Sequence, residues 1–157
     1  MMLPSGAMND LPLTDLVAAF RSCILSREHW THLAHLRVGA WYVHHFGADA
    51  ALAMLRDEIK RLNDHHGTVN SPTSGYHETI TAAYVRLIDA FLSAFEANVA
   101  IEQQVVLLTD GPIGERSVLL RFWSRDLLMS ARARAQWVPP DLASLAVPPE
   151  ALPRVGR

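Results

Sequence analysis

Histidine is confined to one window of this chain, and that window marks where chemistry is to be expected. All eight histidines lie between His29 and His77. Imidazole is the side chain that titrates nearest to neutral pH, and it is also the commonest metal ligand in proteins. The window therefore locates a candidate site, but it leaves open whether the site binds a metal, transfers protons or only forms hydrogen bonds.

The densest part of the window is the segment EHWTHLAH, residues 28–35. Read as one helix at about 100° per residue, it places Glu28, His32 and His35 within about 60° of one another. Gly39 continues the same line one turn later, and its missing side chain leaves space beside the ring of His35. A carboxylate and two imidazoles along one helix face predict the wall of a polar pocket.

The segment GYHETIT, residues 75–81, brings the last histidine to the start of another helix. His77 and Glu78 project about 100° apart on a helix, so one of them at a time faces a given ion. We expect His77 to be a ligand and Glu78 to handle the proton. Bundle metal sites are built from nitrogen and oxygen ligands contributed by facing helices. The predicted metal ligands are His32, His35 and His77, with Glu28 as a fourth ligand or an outer hydrogen-bond partner.

Two functions from different classes follow from these residues. The first is a small enzyme that depends on a divalent metal ion and acts on a small organic molecule. Three imidazoles suit zinc, iron or nickel, and a zinc-bound water that ionises near pKa 7 favours hydrolysis. The second is a non-catalytic ligand-binding or interaction protein, in which the histidines pair with Glu28, Glu78 and loop carbonyls as a polar network.

Hydrophobic periodicity predicts helices separated by short turn signals along nearly the whole chain. The histidine-bearing helix is apolar at most other positions, so we expect it at the centre of the fold. Ser26 is the expected cap of that helix, and Ser74 or Thr73 of the one that contains His77. The predicted helices are residues 13–25, 26–46, 48–63, 75–97, 101–109, 115–123 and a short one, 130–136, capped by Ser130. The fold class is all-α, a single-domain bundle of about five to six helices.

The two ends of the chain are expected to differ from the body. Residues 1–10 predict a flexible N-terminus that lacks the features of a signal peptide. Residues 138–157 contain four prolines in two pairs, at 139–140 and 148–149, and a fifth at 153. They predict an extended C-terminal tail that wraps around the body of the domain.

Composition narrows the setting and the partners. The formal net charge is −2, so no strong field favours nucleic acid or an anionic membrane. The single cysteine, Cys23, excludes an intrachain disulfide and fits the cytoplasm, and no apolar run is long enough to span a bilayer. The arginines between 116 and 134 are interspersed with acidic residues. They predict a solvated face or, alternatively, a face from which one or two arginines reach inward to a carboxylate substrate. The sequence makes no prediction of the oligomeric state.

Three motifs carry a resemblance to a known group. WTHxAHL (30–36), GYHETIT (75–81) and LRFWSRDLLMS (120–130) resemble a group of uncharacterised small bacterial proteins that is loosely described as related to an extradiol dioxygenase. The resemblance covers about residues 20–142 and implies that His32, His35, His77 and Glu78 belong to one unit. Extradiol dioxygenases usually hold iron with two histidines and one carboxylate. The resemblance implies that His32 or His35, His77 and a glutamate could supply that set.

Overall fold

The computed structural model describes residues 11–153. Within these residues the regular structure consists of seven α-helices and short 3-10 turns, and there is no β-strand. The helices are α1 (Leu13–Arg21), α2 (His32–Phe46), α3 (Ala48–His65), α4 (Glu78–Ser93), α5 (Ile101–Asp110), α6 (Arg125–Leu128) and α7 (Ala131–Ala135). Short 3-10 turns lie at Arg27–His29, Pro112–Gly114, Val118–Arg121 and Pro149–Ala151. The prediction of an all-α, single-domain bundle is confirmed. The predicted helix over 115–123 is a 3-10 turn instead.

Helix α2 is the central element, as its apolar sequence predicts. It packs against α1, α3, α4 and α5. Its buried side chains include Leu36, Val38 and Tyr42, which join one apolar core with Phe20 of α1 and Phe91 of α4. A helix that is apolar on most of its circumference must be surrounded by other helices to remove that surface from water.

The start of α2 differs from the prediction, and the difference changes the candidate site. Ser26 precedes only a 3-10 turn, where its hydroxyl lies 2.5 Å from Nδ1 of His29. The helix begins after Thr31, whose extended backbone (φ −83°, ψ 170°) and hydroxyl cap it by accepting a hydrogen bond from the amide of Ala34 at 3.2 Å. Glu28 therefore does not lie on the helix that carries His32 and His35.

Helix α4 also begins later than expected, at Glu78 rather than near Gly75. Neither Ser74 nor Thr73 is the cap, because Gly75 has a left-handed φ of +77° and the chain stays non-helical to His77. A Cβ atom at Gly75 would lie 2.5 Å from Oδ1 of Asn70, so glycine is required here both for conformation and for space. The close approach positions the segment that leads into α4.

The described part of the C-terminal segment after α7 contains no α-helix and packs on the body of the domain. Trp123 is fully buried and donates a hydrogen bond from Nε1 to the carbonyl of Val138 at 3.0 Å. The amide of Val138 in turn donates to Oγ1 of Thr79 at 3.1 Å.

Residues 1–10 and 154–157 lie outside the described residues, and so does the expected flexible N-terminus. No helix within 11–153 combines the length and the hydropathy that crossing a bilayer requires.

Candidate functional site

A cavity of about 390 Å³ lies between α2, α3 and α4 and contains two of the predicted site residues, His32 and His35. Its wall is mainly apolar, with aliphatic side chains from all three helices. Gly39 also lines it, as its position one turn after His35 predicts. The lining residues are Trp30, Thr31, His32, His35, Leu36, Gly39, Leu55, Ile59, Ile80, Thr81, Tyr84, Val85, Ile88 and Arg116.

His35 is held in a fixed orientation at this cavity. Its ring stacks on Trp30 with centroids 3.6 Å apart, and Nδ1 lies 2.7 Å from the carbonyl oxygen of Thr31. Because a carbonyl only accepts hydrogen bonds, this contact assigns the proton of a neutral ring to Nδ1. Nε2 is then left with a lone pair and forms no hydrogen bond with another described residue.

The surroundings of His35 favour its neutral form. Desolvation is the largest effect and, with the charges of His32 and Arg116, lowers the pKa to about 4, although the hydrogen bond to Thr31 opposes it. The side chain is nevertheless exposed to solvent. The desolvation and the exposure are compatible because the ring packs against protein on one side and borders the open cavity on the other. The pKa of His35 therefore lies well below 7, and its ring is neutral at pH 7.

His32 and Arg116 lie where the first cavity meets two neighbouring cavities. Burial and the charge of Arg116 lower the pKa of His32, while nearby carbonyls of Ile113 and Gly114 act in the opposite direction. Nε2 of His32 is buried and has no hydrogen-bond partner of acceptable geometry among the described residues. Both residues also line two adjoining cavities of about 420 and 370 Å³. This position makes them the polar boundary of the first cavity.

Tyr84 and Arg116 are two polar residues of the cavity that are not among the predicted metal ligands. The Tyr84 ring lies 5.4 Å from that of His32, and burial raises the pKa of its hydroxyl to about 12. Arg116 forms no ion pair with a described carboxylate. Arg116 is exposed to solvent and also lines the cavity, so its position fits both the predicted solvated face and the predicted inward reach. Tyr84 shares a helix face with Thr81, which was the available signal.

His77 lies away from the cavity and has a structural role in α4. Nδ1 accepts a hydrogen bond from the amide of Ile80 at 3.1 Å and so caps the helix, while Nε2 donates to the carbonyl of Leu128 at 2.7 Å. Burial is the main cause of its lowered pKa, with the charge of Arg134 in the same direction. Both ring nitrogens are occupied, so neither has a lone pair free for a metal ion.

Glu78 lies in a second cavity, where Arg56 and Tyr76 hold its carboxylate. Arg56 donates from Nε and Nη2 at 3.0 and 2.6 Å, and the Tyr76 hydroxyl donates at 2.6 Å. Burial alone would raise the pKa of Glu78, but these donors outweigh it and the pKa is lowered. A carboxylate held in this way stays ionised at neutral pH and is poorly suited to the predicted proton transfer.

The donors expected to bind a metal are therefore distributed over different places. His32 and His35 share the first cavity, His77 caps α4, and the exposed Glu28 lies in a 3-10 turn before α2. Within residues 11–153 no group of three or more histidine, cysteine, aspartate or glutamate side chains is arranged to hold a metal ion. The described residues do not fit the predicted metal centre in this conformation.

The remaining histidines make separate contacts. Nε2 of His66 lies 2.7 Å from the carbonyl of Leu25, and the ring of His45 packs against Trp41 at 4.3 Å. His44 and His65 are exposed. The concentration of histidine in sequence thus does not correspond to one cluster in space.

No family model, no curated protein and no solved structure matches the chain.

Proposed function

We propose that this protein binds a small organic acid, with an apolar body and one carboxylate, in the cavity between α2, α3 and α4. The observation that carries the proposal is the position of Arg116: an arginine without an ion-pair partner among residues 11–153 at the boundary of a cavity with mainly apolar walls. Small-molecule sites have this composition, with many apolar side chains and a few polar groups that set orientation.

The size of the cavity supports a small ligand. Its volume of about 390 Å³ is near the lower end of the range of roughly 300–1,000 Å³ that is common for small-molecule sites. The aliphatic side chains of Leu55, Ile59 and Ile88 offer an apolar surface to the body of the ligand. Burial of that body supplies the main favourable free energy, at about 25 cal/mol per Å² of apolar area.

The polar groups support a ligand with one anionic end. The guanidinium of Arg116 offers paired donors that match a carboxylate. Nε2 of His35 is an acceptor in the tautomer set by Thr31, and the Tyr84 hydroxyl is a donor without a partner among the described residues. A ligand that also carries a hydroxyl group would satisfy His35. Specificity then comes from groups already in position, which lowers the entropic cost of binding.

The metal-dependent enzyme expected from the sequence has less support. It needs His77 to release two hydrogen bonds and Glu78 to leave Arg56 before either residue joins His32 and His35. Because the ring of His35 is neutral and Nε2 has a lone pair, the catalytic variant of the present proposal is proton transfer from a bound ligand to His35. Such a reaction would use Nε2 of His35 as the base and would need no rearrangement of α4.

The proposal is tested with a panel of aromatic carboxylates and their uncharged amides, screened by NMR against the tag-free protein. We expect carboxylates of the size of naphthoate to shift the signals of cavity residues and to bind at least about ten times more tightly than the amides. Arg116→Met should abolish that difference. Arg132→Met removes an exposed arginine outside the cavity lining and should preserve it.

A second variant tests the position of the ligand. A Cβ at Gly39 would lie 3.2 Å from Cδ1 of Ile88, inside the cavity wall. Gly39→Leu should fill the cavity and abolish binding, and circular dichroism checks that the helical content is retained. If the variant keeps full affinity, or if no carboxylate in the panel shifts cavity signals, the proposal is contradicted.

A further inference from the structure

A second cavity, of about 550 Å³, lies beside the start of α4 and shares no lining residue with the first. It is bordered by α3, by the loop before α4 and by the end of α7. The charged and aromatic side chains that line it are Arg56, Lys60, Arg134, Glu78, Tyr76 and Trp137.

The lining of this second cavity carries an excess of positive charge. Three cations face one carboxylate, and Arg56 neutralises that carboxylate through two hydrogen bonds. Lys60 and Arg134 form no ion pair among residues 11–153. A net charge of about +2 within one concave surface attracts an anion, and it matches a dianion better than a monoanion.

The two cations outside the Arg56–Glu78 pair differ in how firmly they are held. Arg134 donates from Nη1 to the carbonyl of Gly75 at 2.7 Å, which leaves its other N–H groups available. The ammonium of Lys60 lies 5.1 Å from the centroid of the buried Tyr76 ring, and the Tyr76 hydroxyl is fixed by Glu78. Arg134 is therefore partly oriented for an anion before binding, whereas the exposed Lys60 is ordered only when an anion binds.

We propose that this cavity binds the phosphate group of a small phosphate monoester, with Lys60 and Arg134 as the phosphate ligands. A phosphate monoester carries a charge of about −1.5 to −2 at pH 7, which balances the excess in the cavity. The cavity is larger than a phosphate ion, and the indole of Trp137 and the ring of Pro72 offer an apolar wall to the organic part. The proposal does not depend on the organic-acid site.

The test is isothermal titration calorimetry of the full chain with phenyl phosphate, inorganic phosphate and benzoate at low ionic strength. We expect one equivalent of phenyl phosphate to bind, with inorganic phosphate weaker and benzoate at least about tenfold weaker. Equal affinity for inorganic phosphate and phenyl phosphate would overturn the ester part of the proposal. Absence of saturable phosphate binding would overturn the site.

Variants separate a built site from general charge attraction. Lys60→Met removes an exposed side chain that forms no hydrogen bond and should weaken phenyl phosphate binding about tenfold or more. Arg134→Met should do the same, while Arg132→Met removes the same charge from the same helix outside the cavity and should have little effect. Equal losses in all three variants would overturn the proposal. Arg116→Met should leave phosphate binding unchanged, which keeps this result separate from the first cavity.

Discussion

Nε2 of His77 lies 2.7 Å from the carbonyl oxygen of Leu128, and this hydrogen bond joins the start of α4 to α6 across 51 positions of the chain. The other ring nitrogen caps α4. A histidine that looks like a metal ligand in the sequence is therefore a connection between two helices. Its neighbours in the GYHETIT motif have related roles, since Glu78 binds Arg56 and Thr79 binds the C-terminal segment.

His77→Ala should lower the free energy of unfolding by about 2–4 kcal/mol, measured by urea denaturation. It removes a helix cap, worth about 1 kcal/mol, and leaves the buried Leu128 carbonyl without a donor, which costs about 1–3 kcal/mol. His77→Asn keeps a capping side chain and should lose about 1 kcal/mol less. A variant with unchanged stability would contradict the structural role.

Thr79→Val should destabilise the fold by about 2–3 kcal/mol at nearly constant side-chain volume. Oγ1 of Thr79 is fully buried, donates to the carbonyl of Gln136 at 2.8 Å and accepts from Val138, so the valine leaves both groups unpaired. Thr109→Val is the matched control, because its hydroxyl bonds only to carbonyls of its own helix. Similar losses in both variants would contradict the proposed connection.

Glu78→Gln should cost about 1–2 kcal/mol, less than a fully buried ion pair because the Arg56 side chain is 39% exposed and water screens the interaction. A double-mutant cycle with Arg56→Met should show that the two losses are not additive. The pKa of Glu78 is lowered in the fold, so its contribution is complete above the ordinary value of 4.5 and is lost as the pH falls through the lowered pKa. Additive losses would contradict the pairing.

Stability should decrease as the pH falls from about 6.5 toward 4. The pKa values of His32, His35 and His77 are lowered from 6.5 in the fold, so the unfolded chain binds protons first and the folded state loses stability over that range. His35→Gln should lose less stability between pH 7 and pH 5 than the wild type does in urea titrations. His44→Gln, which removes an exposed imidazole of the same helix, should follow the wild type.

Zinc, iron(II) or nickel should not raise the Tm of tag-free protein in a saturable way. A specific site at a metal concentration of 100 Kd would add about 2.7 kcal/mol, which a thermal scan detects. Both ring nitrogens of His77 are hydrogen-bonded, and Glu78 lines a different cavity from His32 and His35. Stoichiometric metal that is lost in His32→Ala and His77→Ala, but kept in His44→Ala, would restore the metal-dependent enzyme.

The sequence predicts well what depends on nearby residues. Hydrophobic periodicity locates all five long helices, and local cap chemistry correctly places Ser130 before α7, where it accepts from the amide of Ala133. It is wrong at the start of α2, because Ser26 and Thr31 are both good caps and the choice between them depends on packing. Gly39 lines the cavity, but a Cβ there would lie 3.2 Å from Cδ1 of Ile88, so the missing side chain lets α2 and α4 approach each other closely.

The sequence by itself determined that this chain is a helical bundle whose histidine-rich helix lies at the centre and borders a cavity. Only the tertiary structure decided which residues meet there. His35 and Arg116 come together, whereas His77 binds Leu128 and Glu78 binds Arg56, contacts that span 51 and 22 positions. Helix periodicity is set by contacts within a few residues. The partner of a buried polar group is instead set by which distant donor or acceptor the packing brings within about 3 Å.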